Sequence, residues 1–197
     1  KHIVTIEDPI EFVYPIGQSI VEQREKGLDF ESFPSALKAL LRQDPNVVLV
    51  GEMRDYATIS SAITVSETGH LVFATLHTST AAQTIDRIID VFPGSQQEQV
   101  RQELASSVQA VVSQRLLPRV DGGRVAAIEL MFANPAIRNL IREQKTFQID
   151  NSIQTSGESG MQLMETALVN LVRSGQITQE EARASAFRPE VMQRMMG

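Results

Sequence analysis

The chain has 197 residues, enough for one sizeable core or two small ones, with 42% hydrophobic and 21% charged residues, the balance of an ordinary globular protein. Its 18 basic and 24 acidic side chains leave a net charge of −6, which argues against broad nucleic-acid binding, a function that needs a basic footprint. Cysteine is absent, which excludes disulfides and thiolate zinc sites, and no apolar run approaches the roughly 18 residues of a membrane span.

The chain opens at Lys1 and enters a β-branched run at once, Ile3–Ile6, read as a buried strand ended by Asp8-Pro9. With no initiator methionine, the natural amino terminus is expected to lie upstream. Residues 10–30 carry Pro15, Gly17 and Gly27 and read as an irregular excursion with a short strand at Ser19–Val21. Ser32 is an N-cap for a helix whose apolar positions are Phe33, Ala36, Leu37, Leu40 and Leu41, stopped by Asp44-Pro45. Val47–Val50 is an unbroken apolar strand of the kind buried on both faces of a parallel sheet. Asp55 caps a helix through Ile59, Ala62, Ile63 and Val65, Gly69 ends it, and Leu71–Leu76 forms the next strand.

Further on, helices are expected over 80–91 and, beyond Pro93-Gly94, over 96–116. Val125–Met131 reads as a strand behind the turn Asp121-Gly122-Gly123. After Asn134-Pro135 the pattern is helical: 136–143, 161–174 and 179–196, the last capped by Thr178 with Glu181 three residues on. A boundary near Phe132-Ala133 separates an α/β part from a helical part.

Three apolar strands stop abruptly at titratable residues: Glu7 and Asp8, Glu52 after Gly51, and His77. In a parallel sheet the carboxyl ends of neighbouring strands face one crevice, where ligands bind. A carboxylate such as Glu52 can orient or deprotonate an attacking water there, and His77, followed by Thr78, can hydrogen-bond a phosphate. Adjacent strand residues face opposite sides, so only one of Glu7 and Asp8 is expected to point into the crevice. His70 lies about 23 Å from His77 along an extended strand and cannot share a metal with it. Arg54 has Asp55 beside it as a default local partner. Taken singly, each residue also has a plain reading: acidic strand termini, a structural histidine, a solvated turn before Pro9. In Ala136–Glu143, Arg138 and Arg142 lie four residues apart, off the apolar stripe of Ile137, Leu140 and Ile141, and either decorate a self-packed helix or present a contact to another subunit.

Together, four stretches resemble the secretion ATPase superfamily and, within it, the retraction ATPases of type IV pili, the twitching motility proteins. Thr5–Glu11 (TIEDPIE) is similar to the family's Asp box, Leu41–Asp55 (LRQDPNVVLVGEMRD) to its Walker B segment, and Thr68–Thr78 (TGHLVFATLHT) to its His box. Ala136–Glu143 (AIRNLIRE) is similar to a helix that the family links to retraction. The resemblance implies an α/β fold: a partial RecA-like ATPase core with a mostly parallel sheet over 1–133, then a small helical domain over 134–197. It implies Glu7 and Glu52 as catalytic carboxylates, with Glu52 also holding Mg²⁺, and His77 and Thr78 at the nucleotide. Asp8, Arg54 and His70 would support the site, and Arg138 and Arg142 would contact a subunit or partner. ATP and Mg²⁺ are the implied cofactors. The implied assembly is a homo-hexamer in the cytoplasm at the inner-membrane platform of the type IV pilus machine, with no membrane insertion and no nucleic acid.

Assembly and type II secretion ATPases of the superfamily usually carry a four-cysteine zinc insertion after the His box; the absence of cysteine and the unbroken run Ile85–Leu117 favour the retraction branch. One departure is plain: the chain has no G-x-x-x-x-G-K-[ST] phosphate loop, which in the family precedes the strand found here at Ile3–Ile6. The expectation is a carboxyl-terminal part of a longer enzyme that hydrolyses no ATP alone, with a gap in its sheet beside Leu71–Leu76. A nonenzymatic subunit-contact fragment is the alternative.

Overall fold

In the computed structural model, which describes residues 1–197, the chain forms two compact units. One comprises Lys1–His77 with Ile88–Ser107, the other Thr78–Arg87 with Val108–Gly197.

The first unit is built on a parallel sheet of β1 (His2–Glu7), β2 (Ile20–Glu25), β3 (Val47–Val50) and β4 (Leu71–Ala74), in the order β2-β1-β3-β4. Val4, Ile6, Val48 and Val50 point to one face and are fully buried. Two helices cover that face, α1 (Phe33–Leu40) and α2 (Tyr56–Glu67), through Ala36, Leu37, Leu40, Ala62 and Val65. Both begin at the capping residues anticipated: Ser32 accepts from the Ser35 N–H, and Asp55 accepts from the Thr58 N–H at 2.9 Å and its hydroxyl at 3.2 Å. Gly69, at φ +96°, turns the chain out of α2 and into β4. The sheet ends at β4 as an edge strand, with Leu71 and Phe73 exposed on the face opposite α1 and α2, rather than resuming across a gap.

The parallel register decides where the functional residues go. Ile6, Val50 and Ala74 are lateral neighbours, so the next residues, Glu7, Gly51 and Thr75, leave the sheet at one level. β2 runs four residues beyond the short strand anticipated, to Glu25, and pairs along all of β1.

One helix prediction is corrected. The helix expected over 96–116 stops early: α3 (Ala81–Asp90) is followed by α4 (Gly94–Ser107), and then Ala110–Pro118 forms strand β5. β5 pairs antiparallel with β6 (Arg124–Phe132) across a turn in which Gly122 and Gly123 take φ of +94° and +75°. Paired this way, Val111, Ser113, Arg115 and Leu117 are at least partly covered while Ala110, Val112, Gln114 and Leu116 are exposed, the period of two of a strand.

The second unit packs Leu117 and Ala127 of this hairpin against α7 (Met164–Arg173), with α8 (Gln179–Ser185) and α9 (Pro189–Met196) closing a core of Leu168, Ile177, Ala182 and Met192. The hairpin thus belongs with the helices, whereas the sequence pattern put the division near 133; strand burial against α7 is a tertiary choice that strand propensity does not record. The single helix expected over 179–196 is two, because Arg188 precedes Pro189, which bars a helical conformation at 188 and starts α9 afresh. Two shorter elements complete the unit, α5 (Pro135–Arg142) and α6 (Ile149–Thr155).

Candidate active site

The carboxyl edge of the sheet gathers Glu7, Glu52 and His77, all within the first unit. Gly51 makes the gathering possible. A side chain there would meet the Ile6 carbonyl oxygen at 3.1 Å and Glu7 Cα at 3.2 Å, so only glycine lets β3 exit this close to β1. Its N–H donates to the Ile6 carbonyl at 2.8 Å, extending the ladder one residue past the strand. On the other side the Thr75 hydroxyl donates to the Gly51 carbonyl, and the Met53 N–H donates to the Thr75 carbonyl at 3.0 Å. Glu52 is therefore fixed at both flanks.

The Glu52 side chain is 18% exposed and meets two nitrogen groups, Arg54 Nη2 at 2.5 Å and His77 Nε2 at 2.5 Å, on side chains that are 73% and 84% exposed. The Arg54 hydrogen bond above all, then the charges of Arg54 and His77, hold the Glu52 carboxyl below the usual carboxylate range, against the opposing effect of burial. The same bond raises the Arg54 guanidinium. Glu52 is thus an anion at neutral pH, as a base or metal ligand must be. The local pairing expected between Arg54 and Asp55 is not formed: Asp55 is occupied in capping α2, and Arg54 turns to Glu52.

Glu7 is held differently. Its Oε1 accepts from the Thr5 hydroxyl at 2.5 Å and from Gln23 Nε2 at 3.1 Å, while no partner in the chain engages Oε2. Asp8 turns away to Lys26 at 2.8 Å, as strand alternation requires. His70 lies at the other end of β4, its Nδ1 3.1 Å from both the Thr68 hydroxyl and the Val65 carbonyl, and takes a structural position. The Thr78 hydroxyl pairs with that of Thr84 at 2.7 Å, at the start of α3. In α5, Asn134 caps as anticipated, accepting from the Ile137 N–H at 2.9 Å, with Ile137 and Ile141 buried, Arg138 half-buried and Arg142 exposed. Sequence reasoning missed Thr5 and Gln23; the lateral pairing Thr5–Gln23 in the β1–β2 register is what brings both to Glu7.

The residues fit Mg²⁺ in part. Glu52 Oε1 is shielded from solvent and lies 2.5 Å from His77 Nε2. A carboxylate oxygen is the kind of hard ligand that Mg²⁺ takes. The chain holds no preformed cluster of three or more His, Cys, Asp or Glu side chains that could bind a metal.

The carboxyl edge of a parallel α/β sheet is where such folds bind ligands, and the titratable residues of this chain lie there. The chain belongs to the Type II/IV secretion system protein family, whose pattern matches residues 1–184. It is 53% identical over 189 residues to the type IV pilus retraction ATPase PilT of Pseudomonas aeruginosa, an alignment covering 96% of this chain and 55% of that protein. It is 55% identical over 192 residues to a twitching motility protein of Neisseria gonorrhoeae, covering 97% of this chain and 51% of the relative. The crystal structure of the pilus retraction motor PilT with bound ADP superposes with a TM-score of 0.91 at 52% identity, over 98% of this chain and 55% of that one. The expected α/β, RecA-like fold followed by helices is the fold of that motor's corresponding half. The chain thus spans about half the length of the relatives it matches. No helix is long and apolar enough to cross a membrane.

Proposed function

We propose that this chain is the carboxyl-terminal part of a hexameric ATPase that retracts type IV pili from the cytoplasmic face of the inner membrane, docked on the pilus platform. The observation that carries the reading is the agreement of two independent things: similarity above half to retraction ATPases over nearly the whole chain, and a sheet edge where His77 contacts Glu52 and Glu7 leaves β1 level with Gly51. Mg²⁺-ATP, when bound, supplies the scissile phosphoanhydride and the charge neutralisation that lets water attack it. Within this chain, Glu52 orients the water and accepts its proton, Arg54 and His77 keep that carboxylate ionised, and Glu7, at the end of the neighbouring strand, is the second catalytic carboxylate. Thr78, next in the chain after His77, contributes a hydroxyl to the nucleotide, and Arg138 and Arg142 of α5 form a subunit or partner contact.

The chain offers no glycine loop to wrap a triphosphate, so by itself it hydrolyses no ATP. Purified intact protein carrying this sequence should show Mg²⁺-dependent ATP hydrolysis that Glu52→Gln reduces at least ~100-fold, with nucleotide still bound. The 197-residue chain should show no turnover. Wild-type turnover in the Glu52→Gln protein, or Glu52-dependent turnover by the isolated chain, overturns the respective assignment.

A further inference from the structure

Gln23 is half-buried on β2, beside Thr5 on the same face of the sheet as Glu7. Every hydrogen-bonding function of its amide is used. Nε2 donates to Glu7 Oε1 at 3.1 Å and to the Phe12 carbonyl at 2.9 Å, and Oε1 accepts from the Tyr14 N–H at 2.9 Å. The orientation has no competitor. A flipped amide would set NH₂ against the Tyr14 N–H and its oxygen against both the Phe12 carbonyl and the Glu7 carboxylate, replacing three bonds with three repulsions. One side of the amide therefore clasps the loop backbone two residues apart, and the remaining donor fixes one oxygen of Glu7. With the Thr5 hydroxyl on the same Oε1, the carboxylate cannot rotate without breaking two bonds, and Oε2 stays turned away from both donors. The loop so clasped carries Phe12, Tyr14 and Ile16, which are 64%, 41% and 105% exposed, so backbone hydrogen bonds, two to Gln23 and one from the Ile10 N–H to Glu25 at 3.0 Å, rather than buried side chains tie it to the sheet.

We infer that Gln23 is a positioning residue for the site: it locks the Glu7 carboxylate and makes its orientation depend on the backbone at Phe12–Tyr14. The inference rests on the reading of Glu7 as a catalytic carboxylate. A bystander amide would be replaceable at no cost to the reaction. A positioning amide would not, because a displacement of about 1 Å at a reacting group costs up to ~100-fold.

Three variants of the intact protein separate the possibilities: Gln23→Ala, Gln23→Glu and Glu7→Gln. Gln23→Ala should lower kcat about 10- to 100-fold with KM for ATP within about threefold, since the amide touches Glu7 and not the nucleotide. Gln23→Glu keeps the shape but opposes a carboxylate to Glu7, so it should also move the acid limb of the kcat–pH profile to higher pH, which Gln23→Ala should not. In the isolated chain, the Gln23 side-chain amide resonances should be shifted downfield and should move on Glu7→Gln, a readout independent of turnover. Loss of turnover in Glu7→Gln with wild-type kcat and pH profile in both Gln23 variants overturns the inference alone. Undiminished turnover in Glu7→Gln overturns the reading of Glu7 on which it rests. Gln23 amide resonances indifferent to Glu7→Gln overturn the inference whatever the kinetics show.

Discussion

Gly51→Ala tests the packing on which the whole site depends. The added methyl carbon would sit 3.1 Å from the Ile6 carbonyl oxygen and 3.2 Å from Glu7 Cα, both backbone atoms that cannot swing aside. Comfortable contacts between non-bonded heavy atoms lie at about 3.5–4.0 Å, so the ends of β1 and β3 must part by a few tenths of an ångström. The Gly51 N–H bond to the Ile6 carbonyl, 2.8 Å long, resists that parting. Overpacking of this kind costs about 1–3 kcal/mol. Gly51 is not at positive φ, so alanine also gains about 0.4–1 kcal/mol by narrowing the unfolded ensemble. The difference is a net loss centred at ~1.3 kcal/mol. With a urea slope of about 2 kcal/mol per molar, the midpoint should fall by roughly 0.7 M. The assay is tyrosine fluorescence during urea unfolding. The chain has no tryptophan, and its two tyrosines, Tyr14 and Tyr56, both lie in the first unit, so the signal reports that unit alone. Gly94→Ala in the same unit is the control: nothing lies within 4 Å of the added carbon, so only the unfolded-ensemble gain of about 0.4–1 kcal/mol remains and the midpoint should not fall. A Gly51→Ala midpoint at or above wild type refutes the claim that close strand approach requires this glycine.

Two further outcomes are expected. Glu129 of β6 is fully buried, accepting from the Ala81 N–H at 2.7 Å and the Met164 N–H at 3.2 Å, and burial lifts its carboxyl above the ordinary value against those two bonds. A carboxyl whose folded pKa exceeds its unfolded one contributes stability that is fully present below the unfolded pKa and is lost as pH rises through the folded pKa. Burial raises Asp150 in the same direction, so wild type minus Glu129→Gln isolates the Glu129 share. Helical circular dichroism in urea, run across the acid-to-neutral range, should show wild type losing more stability with rising pH than Glu129→Gln; equal slopes would count against a raised carboxyl. Separately, Arg138→Ala combined with Arg142→Ala in the intact protein should impair pilus retraction while leaving the fold unchanged, since neither side chain belongs to the buried stripe of Ile137 and Ile141. Normal twitching motility in that double variant would remove α5 from the contact surface.

The strands, their caps and their acidic ends were legible because each is a local matter. Val47–Val50 is apolar at every position, Ser32, Asp55 and Asn134 each accept an N–H three residues on, and Gly69 takes the positive φ that a glycine permits. The candidate site residues were read from strand ends in a parallel sheet, a rule that needs no coordinates. What escaped the sequence depends on partners distant in the chain. Ala110–Pro118 carries enough apolar residues to suit either a helix or a strand, and only pairing with Arg124–Phe132 settles it. Arg54 has Asp55 beside it in sequence, yet that aspartate is spent on α2, which frees the guanidinium for Glu52. Gln23 carries no signal of its own; it matters because the parallel register sets it beside Thr5, within reach of Glu7. The sequence by itself determined which residues could do chemistry and which elements carry them, since propensity, capping and alternation act over a few residues. The tertiary structure alone decided which of those residues meet, because lateral strand register and the close approach at Gly51 are set by packing across the sheet.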